Sequence, residues 1–212
     1  MQAFDESQTA TLLGAVDGHR LYAPVLLAVT TGMRRGEILG LRWKDVDLQA
    51  ATLAVRQSLQ TTREGLSFKA PKTKKGRRSI SLGPTAIDGL RRHRAGQAKV
   101  RLALGAAYQD NDLVCARPDG APTDPGEVSK GFAALVRQIG LPPIRFHDLR
   151  HTHATALMRA GVPPKVVSER LGHSSVGITL NTYSHVMPGM QEDAAQKVDA
   201  TLRAALGRAV QR

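Results

Sequence analysis

The chain has 212 residues, 42% of them hydrophobic, and no stretch approaches the roughly 18 apolar residues of a membrane span, so one good core or two small ones in a soluble protein is expected. Thirty Lys and Arg against eighteen Asp and Glu give a net charge of +12, which points to a polyanion, most simply nucleic acid. Aromatics make up only 4%, which argues against the stacking platforms of single-strand binders and for duplex DNA held through its phosphates. The polar, acidic start MQAFDESQTA resembles neither a signal nor a transit peptide, and a lone Cys115 in an apolar stretch fits core filling in a reducing cytoplasm.

In chain order, Asp5 to Val16 predicts a first helix, and Leu21 to Thr31, apolar nearly all round, a buried helix stopped by Gly32. Arg34 to Leu41 predicts a short helix, followed by Trp43 and a turn at 44–47. The period then changes. Ala51 to Leu59 and Arg77 to Leu82 are rich in β-formers, with Gly65 to Phe68 between them, which predicts one antiparallel sheet of about three strands. Lys69 to Gly76 would be its basic tip. Helices resume over Pro84 to Val100 and Gly126 to Gly140, then Phe146 to Ala160 with Gly161 as its stop, then from Pro163-Pro164 to Leu171-Gly172. Ser174 and Ser175 are placed to cap a further helix carrying Tyr183. In the Ala-rich tail, Val198, Leu202, Leu206 and Val210 recur at a spacing of four, as on an amphipathic helix.

The charge is concentrated. Residues 69–78, KAPKTKKGRR, hold six Lys or Arg and no acid; residues 91–101, RRHRAGQAKVR, hold five and a histidine. A solvated surface would account for either run alone, but two on so basic a chain favour phosphate contact, with Lys69, Lys74, Lys75, Arg77 and Arg78 as the candidate DNA-binding residues.

RFHDLRHTH, residues 145–153, raises the question of a metal, because His147 and His151 stand four apart with an acid after the first, as in a zinc-hydrolase helix. On a helix, however, Arg150 lies as close to His147 as His151 does, and a fixed cation beside two neutral imidazoles suits an anion better than Zn²⁺. No third ligand stands at a standard spacing, and the acids are too scattered for two-metal nuclease chemistry. An arginine gives phosphate bidentate hydrogen bonds, and a histidine can donate one or move a proton. The expectation is a phosphate site without metal or cofactor.

H-x-x-R alone is a short and common pattern. Here it comes with TGMRRGEILGLRW (31–43), PKTKKGRRSISL (71–82), LGHSS (171–175) and NTYSH (181–185), in that order. Together these resemble the tyrosine recombinases, the phage-integrase family of DNA strand exchangers, over the whole catalytic domain from the first helix to at least Met187. The resemblance implies a mainly α fold with a small antiparallel β-sheet (α+β). By matched position, Arg34 is the first catalytic arginine, Lys72 the hairpin lysine, His147 and Arg150 the H-x-x-R pair, His173 the position filled by His or Trp, and Tyr183 the nucleophile; Glu37 supports Arg34. The resemblance further implies a site-specific recombinase that needs neither metal nor ATP, since the bond energy is kept in a 3′-phosphotyrosine. Arg34 and Arg150 would clamp the scissile phosphate, Lys72 would protonate the 5′-oxygen, and His147 would be the acid or base at the tyrosine.

His151 and His153 receive no role from the match and are expected to be satisfied core or surface histidines, as are His93 and His185, with support of the site from one turn behind His147 as the alternative for His151; Tyr22 and Tyr108 are disfavoured as nucleophiles. Residues 1–189 are expected to form the catalytic domain and 190–212 a helical tail. The tail either docks on a neighbouring subunit, giving a homotetramer on double-stranded DNA, or packs on its own domain, with a monomer as the other state. The helical domain that precedes the catalytic one in full-length members is expected to be absent. The rival functions are a type IB topoisomerase and a DNA-binding module that has lost its chemistry.

Overall fold

The computed structural model describes residues 2–71, 76–183 and 190–210, so the Lys72, Lys74, Lys75 and His185 expectations lie outside the described residues. Helix α1 (Glu6–Ala15) starts at Asp5, whose carboxylate accepts from the Gln8 N–H, while the Gln8 side chain accepts from the Asp5 N–H. Helix α2 (Tyr22–Thr31) is buried along most of its length and packs against α1 and its other neighbours in the centre of the molecule. It ends at Gly32, which takes the left-handed conformation at φ +66°. A Cβ there would come within 2.6 Å of the His153 ring, so the position demands glycine for space as well as for angle. The chain turns through Arg34, in extended conformation, into α3 (Arg35–Leu39).

After a 3-10 turn at Trp43–Asp45 come β1 (Val46–Asp47), β2 (Thr52–Val55), β3 (Ser58–Thr62), β4 (Gly65–Lys69) and β5 (Arg78–Ser81). The single sheet expected from the sequence is in fact two. Strands β1, β2 and β5 form one antiparallel sheet in that order, with Leu53 opposite Ile80, and β3–β4 form a separate hairpin. The run 51–59 breaks at Arg56-Gln57, where the Gln57 amide donates to the Gly40 carbonyl. Beyond the break Leu59 is buried beside α3, while Leu53 and Val55 are buried on the first sheet.

Helix α4 (Pro84–Leu104) runs one turn further than expected, and α5 (Pro125–Gln138) is capped by Asp124. Helix α6 (Asp148–Arg159) packs along α2, and the Thr152 hydroxyl accepts from the Phe4 N–H, which ties the chain start to it. Next come α7 (Pro164–Leu171), closed by left-handed Gly172, α8 (Val176–Tyr183) and α9 (Met190–Val210). The main core gathers apolar side chains of α1 to α6 and the first sheet. A second, small core holds Ala154, Met158, Val167, Leu171 and the ring of Tyr183. On α9, Val198, Leu202 and Leu206 of the tail stripe are exposed. Among the described residues no helix is long and apolar enough to cross a membrane.

Candidate active site

Arg34, His147, Arg150, His173 and Tyr183, far apart in sequence, line one cleft of about 620 Å³, together with Glu37 and His151. Each is delivered by the end of an element. Arg34 precedes α3, His147 precedes α6, His173 follows α7, and Tyr183 closes α8; Arg150 sits in the first turn of α6.

Arg150 is buried, and its guanidinium donates to the Gly32 carbonyl at 2.7 Å and the Leu171 carbonyl at 2.8 Å. Both acceptors are helix-end carbonyls with no partner further along the helix, so the arginine satisfies them while they fix its plane. Burial, and then the Arg34 charge, press its pKa down, yet a guanidinium remains a cation at neutral pH. Arg34 stays half open to solvent and donates to the Gly172 carbonyl at 3.2 Å. Glu37 is buried between two arginines: it accepts from Arg34 at 3.0 Å and from Arg78 at 2.8 Å, and also caps the Arg34 N–H. Burial pushes the Glu37 carboxyl up, but the Arg78 and Arg34 hydrogen bonds and charges outweigh it, leaving a carboxylate below the ordinary range. Glu37 thus contacts Arg34, the residue it was matched to support, through both its guanidinium and its backbone N–H.

Arg78 corrects its assignment as a DNA contact. Its side chain is 7% exposed, and its nitrogens donate to Glu37, the Gly76 carbonyl and the Arg170 carbonyl. Its place was legible in the sequence: in RRSISL, strand alternation sets Arg78 on the same face as buried Ile80. Lys69 and Arg77 are exposed, as DNA contacts need to be.

His173 Nδ1 lies 2.8 Å from the hydroxyl of fully buried Thr179. Burial, then Arg150 and Arg34, push the His173 pKa down to about 4, so the ring is neutral at pH 7. Burial and Arg150 likewise lower His147. The Tyr183 pKa is pushed up to about 12 by burial, with Arg150 pulling the other way. Its hydroxyl meets His151 Nδ1 at 2.6 Å, a contact that H-x-x-R spacing gives no reason to expect. His153 is the satisfied core histidine expected: Nδ1 pairs with the Val29 carbonyl, and Nε2 accepts from Arg170 Nε. Arg170 also donates to the Ser81 and Thr30 carbonyls, bracing β5, α2 and α6 behind the cleft. Among the described residues no three His, Cys, Asp or Glu side chains converge as a metal-ligating group.

A cleft with two fixed cations, three neutral imidazoles and a phenol can bind a phosphodiester, stabilise charge on its non-bridging oxygens and offer an oxygen nucleophile. The family model for the phage integrase family matches residues 2–189. A tyrosine recombinase XerC-like protein of Caldanaerobacter subterraneus subsp. tengcongensis is 34% identical over 94% of this chain and 54% of its own length. The ICEBs1 integrase of Bacillus subtilis is 31% identical over 83% of this chain and 48% of its own. The chain thus spans about half the length of these curated relatives. Among solved structures, the Tn1549 transposon integrase in complex with transposon right end DNA superposes with a TM-score of 0.78 at 23% identity, over 94% of this chain and 65% of that one. The XerA recombinase gives 0.67 at 23% identity, over 96% and 65%.

Proposed function

The chain belongs to the phage integrase family of tyrosine recombinases, and from that premise we propose that it cleaves and rejoins duplex DNA through a 3′-phosphotyrosine on Tyr183. The observation that carries this reading is the convergence of Arg34, His147, Arg150, His173 and Tyr183 on one cleft.

Arg34 and Arg150 are the clamp on the non-bridging oxygens. Because carbonyls and Glu37 already hold both guanidiniums in place, little reorganisation is left for the moment of reaction. His173, neutral, adds a hydrogen bond to the same oxygens. Tyr183 attacks in line, and the 5′-oxygen leaves with a proton from Lys72. The 5′-hydroxyl of a second strand then attacks the phosphotyrosine in reverse, so no high-energy cofactor is consumed. Lys69 and Arg77, with Lys74 and Lys75, hold the backbone of double-stranded DNA near the cleft. We read residues 1–189 as the catalytic domain. The tail helix α9, with Val198, Leu202 and Leu206 exposed, docks on a neighbouring copy in a tetramer assembled on DNA.

Covalent trapping tests the core of this reading. The chain is incubated with supercoiled plasmid in EDTA, stopped with SDS and assayed for DNA-linked protein. An adduct that disappears in Tyr183→Phe is expected; an adduct that persists in that variant, or one that forms only with added metal, sinks it.

A further inference from the structure

The proton on Tyr183 must leave as the oxygen attacks, and burial holds it on more tightly than in a free phenol. His147, the residue the sequence match offers for this step, is not the one that meets the hydroxyl. His151 is: its Nδ1 stands 2.6 Å from Tyr183 Oη, with ring centroids 5.8 Å apart. The His147 ring lies behind it, 5.6 Å from the His151 ring and nearly perpendicular. His151 thus contacts both the nucleophile and the His147 ring.

Resting on the strand-transfer reading above, we propose that His151 is the catalytic base for Tyr183, and the acid that returns its proton. In cleavage, Oη bonds to phosphorus, its proton passes to His151 Nδ1, and the P–O5′ bond breaks; the departing 5′-oxygen takes a separate proton from Lys72. In rejoining, the incoming 5′-hydroxyl gives up its proton to Lys72, and His151 protonates Oη as the phosphotyrosine breaks.

The surroundings of the ring suit both halves. His147, Asp148 and Arg150 face it from its own helix and the residue preceding that helix, Arg145 from the turn before, and Tyr183 and His173 from the opposite side. Burial, then His147 and the two arginines, keep its pKa below that of a free imidazole, so it is unprotonated at neutral pH and able to accept. The Asp148 carboxylate favours the imidazolium once formed, and is itself held ionised by two hydrogen bonds from the Arg145 side chain. Accepting at Nδ1 requires the proton of the neutral ring to be on Nε2. His147, beside Arg150 on the cleft wall, is then left for the phosphate.

The test needs a defined phosphate. Adducts trapped by the wild-type chain from a random-sequence duplex library are sequenced. The recovered duplex is then made with either oxygen or sulfur at the 5′-bridging position of the cleaved bond. A sulfur leaving group needs no proton, so it rescues loss of the leaving-group acid and not loss of the tyrosine base. Single-turnover cleavage is measured between about pH 6 and 9 for wild type, His151→Asn, His151→Gln and His147→Asn, with Lys72→Ala as the rescue control.

Asparagine places an amide oxygen where Nδ1 was, so it keeps the hydrogen bond to the hydroxyl and cannot take the proton. His151→Asn is expected to cleave about 10²-fold more slowly at neutral pH. Sulfur leaves that defect in place, and the residual rate climbs with pH as solution hydroxide takes over. The proposal is overturned if His151→Asn stays within about threefold of wild type, if sulfur rescues it, or if His147→Asn shows the unrescued, pH-steep behaviour instead. Urea unfolding shows whether His151→Asn is folded, and His151→Gln is read by the same criteria if it is not. Should the wild type trap no duplex, the strand-transfer reading falls and this proposal with it; a wild type that traps beside an unimpaired His151→Asn overturns this proposal alone.

Discussion

The hydroxyl of Thr179 decides which nitrogen His173 presents to the cleft. A neutral histidine has one donor and one acceptor, and the Thr179 contact occupies Nδ1. Only if the hydroxyl donates does Nε2 keep the proton it needs to bind a phosphate oxygen. Thr179→Val preserves the volume of a fully buried side chain and removes that donor. Cleavage by this variant is expected to fall about tenfold, the worth of one hydrogen bond, with affinity for the duplex unchanged; single-turnover trapping beside a filter-binding titration checks it. Nothing in LGHSSVGITL announces this pairing, because a hydroxyl six residues on meets the ring only when α8 folds back against α7. His151 was hidden for a similar reason. The sequence places it beside Arg150, but whether it meets Tyr183 depends on the packing of α6 and α8, elements joined by two turns and another helix. Residues matched to a motif were legible; those that position them by tertiary contact were not.

At the scale of elements, the site is built on helix ends, and two left-handed glycines carry much of the load. Gly32 ends α2 and offers its carbonyl to Arg150; Gly172 ends α7 and offers its own to Arg34. Gly32→Ala would force a left-handed alanine and drive a methyl into the His153 ring and Leu171. The expected cost is about 1–3 kcal/mol of stability, together with slower cleavage as the Gly32 carbonyl that accepts from Arg150 shifts; urea melts and trapping rates read the two effects. Helices were well predicted because amphipathic or wholly apolar stretches ended in glycine or proline stops. The sheet was not. Residues 51–59 keep the alternation of a single strand while changing partners at Arg56-Gln57, and a period of two records which face is buried without recording against what. The same period, applied to RRSISL, separates exposed Arg77 from inward Arg78, so a basic run is not uniformly a surface.

For the molecule as a whole, charge and histidine burial set the dependence on solution conditions. With +12 net charge, duplex affinity should fall steeply with salt, and Lys69→Ala or Arg77→Ala should each reduce the log–log salt slope by about one. A slope unchanged in both variants would remove Lys69 and Arg77 from the DNA contact. Acid should weaken the fold. His153 is pushed down to about 4, by burial first and then by Arg170, whose Nε–H points at its Nε2. The unfolded chain therefore takes up this proton before the folded one does. The stabilisation is complete above about pH 6.5 and is lost as pH falls through the folded value, on the order of 3 kcal/mol in all. Glu37, held below the ordinary carboxylate range, acts in the same direction at lower pH. Unfolding free energies from about pH 8 to 4 should show this slope, flattened in His153→Gln.

Tyr183, the proposed nucleophile, is also a core residue, since its ring completes the small cluster formed with Ala154, Met158, Val167 and Leu171. Selection therefore sees two properties at one position, and they decay differently. A phenylalanine keeps the packing and discards the chemistry, whereas a small or polar residue forfeits both. Among descendants that no longer cut DNA but still occupy it, position 183 should drift first to phenylalanine, so that a silent copy stays folded and competes with active ones for the same sites.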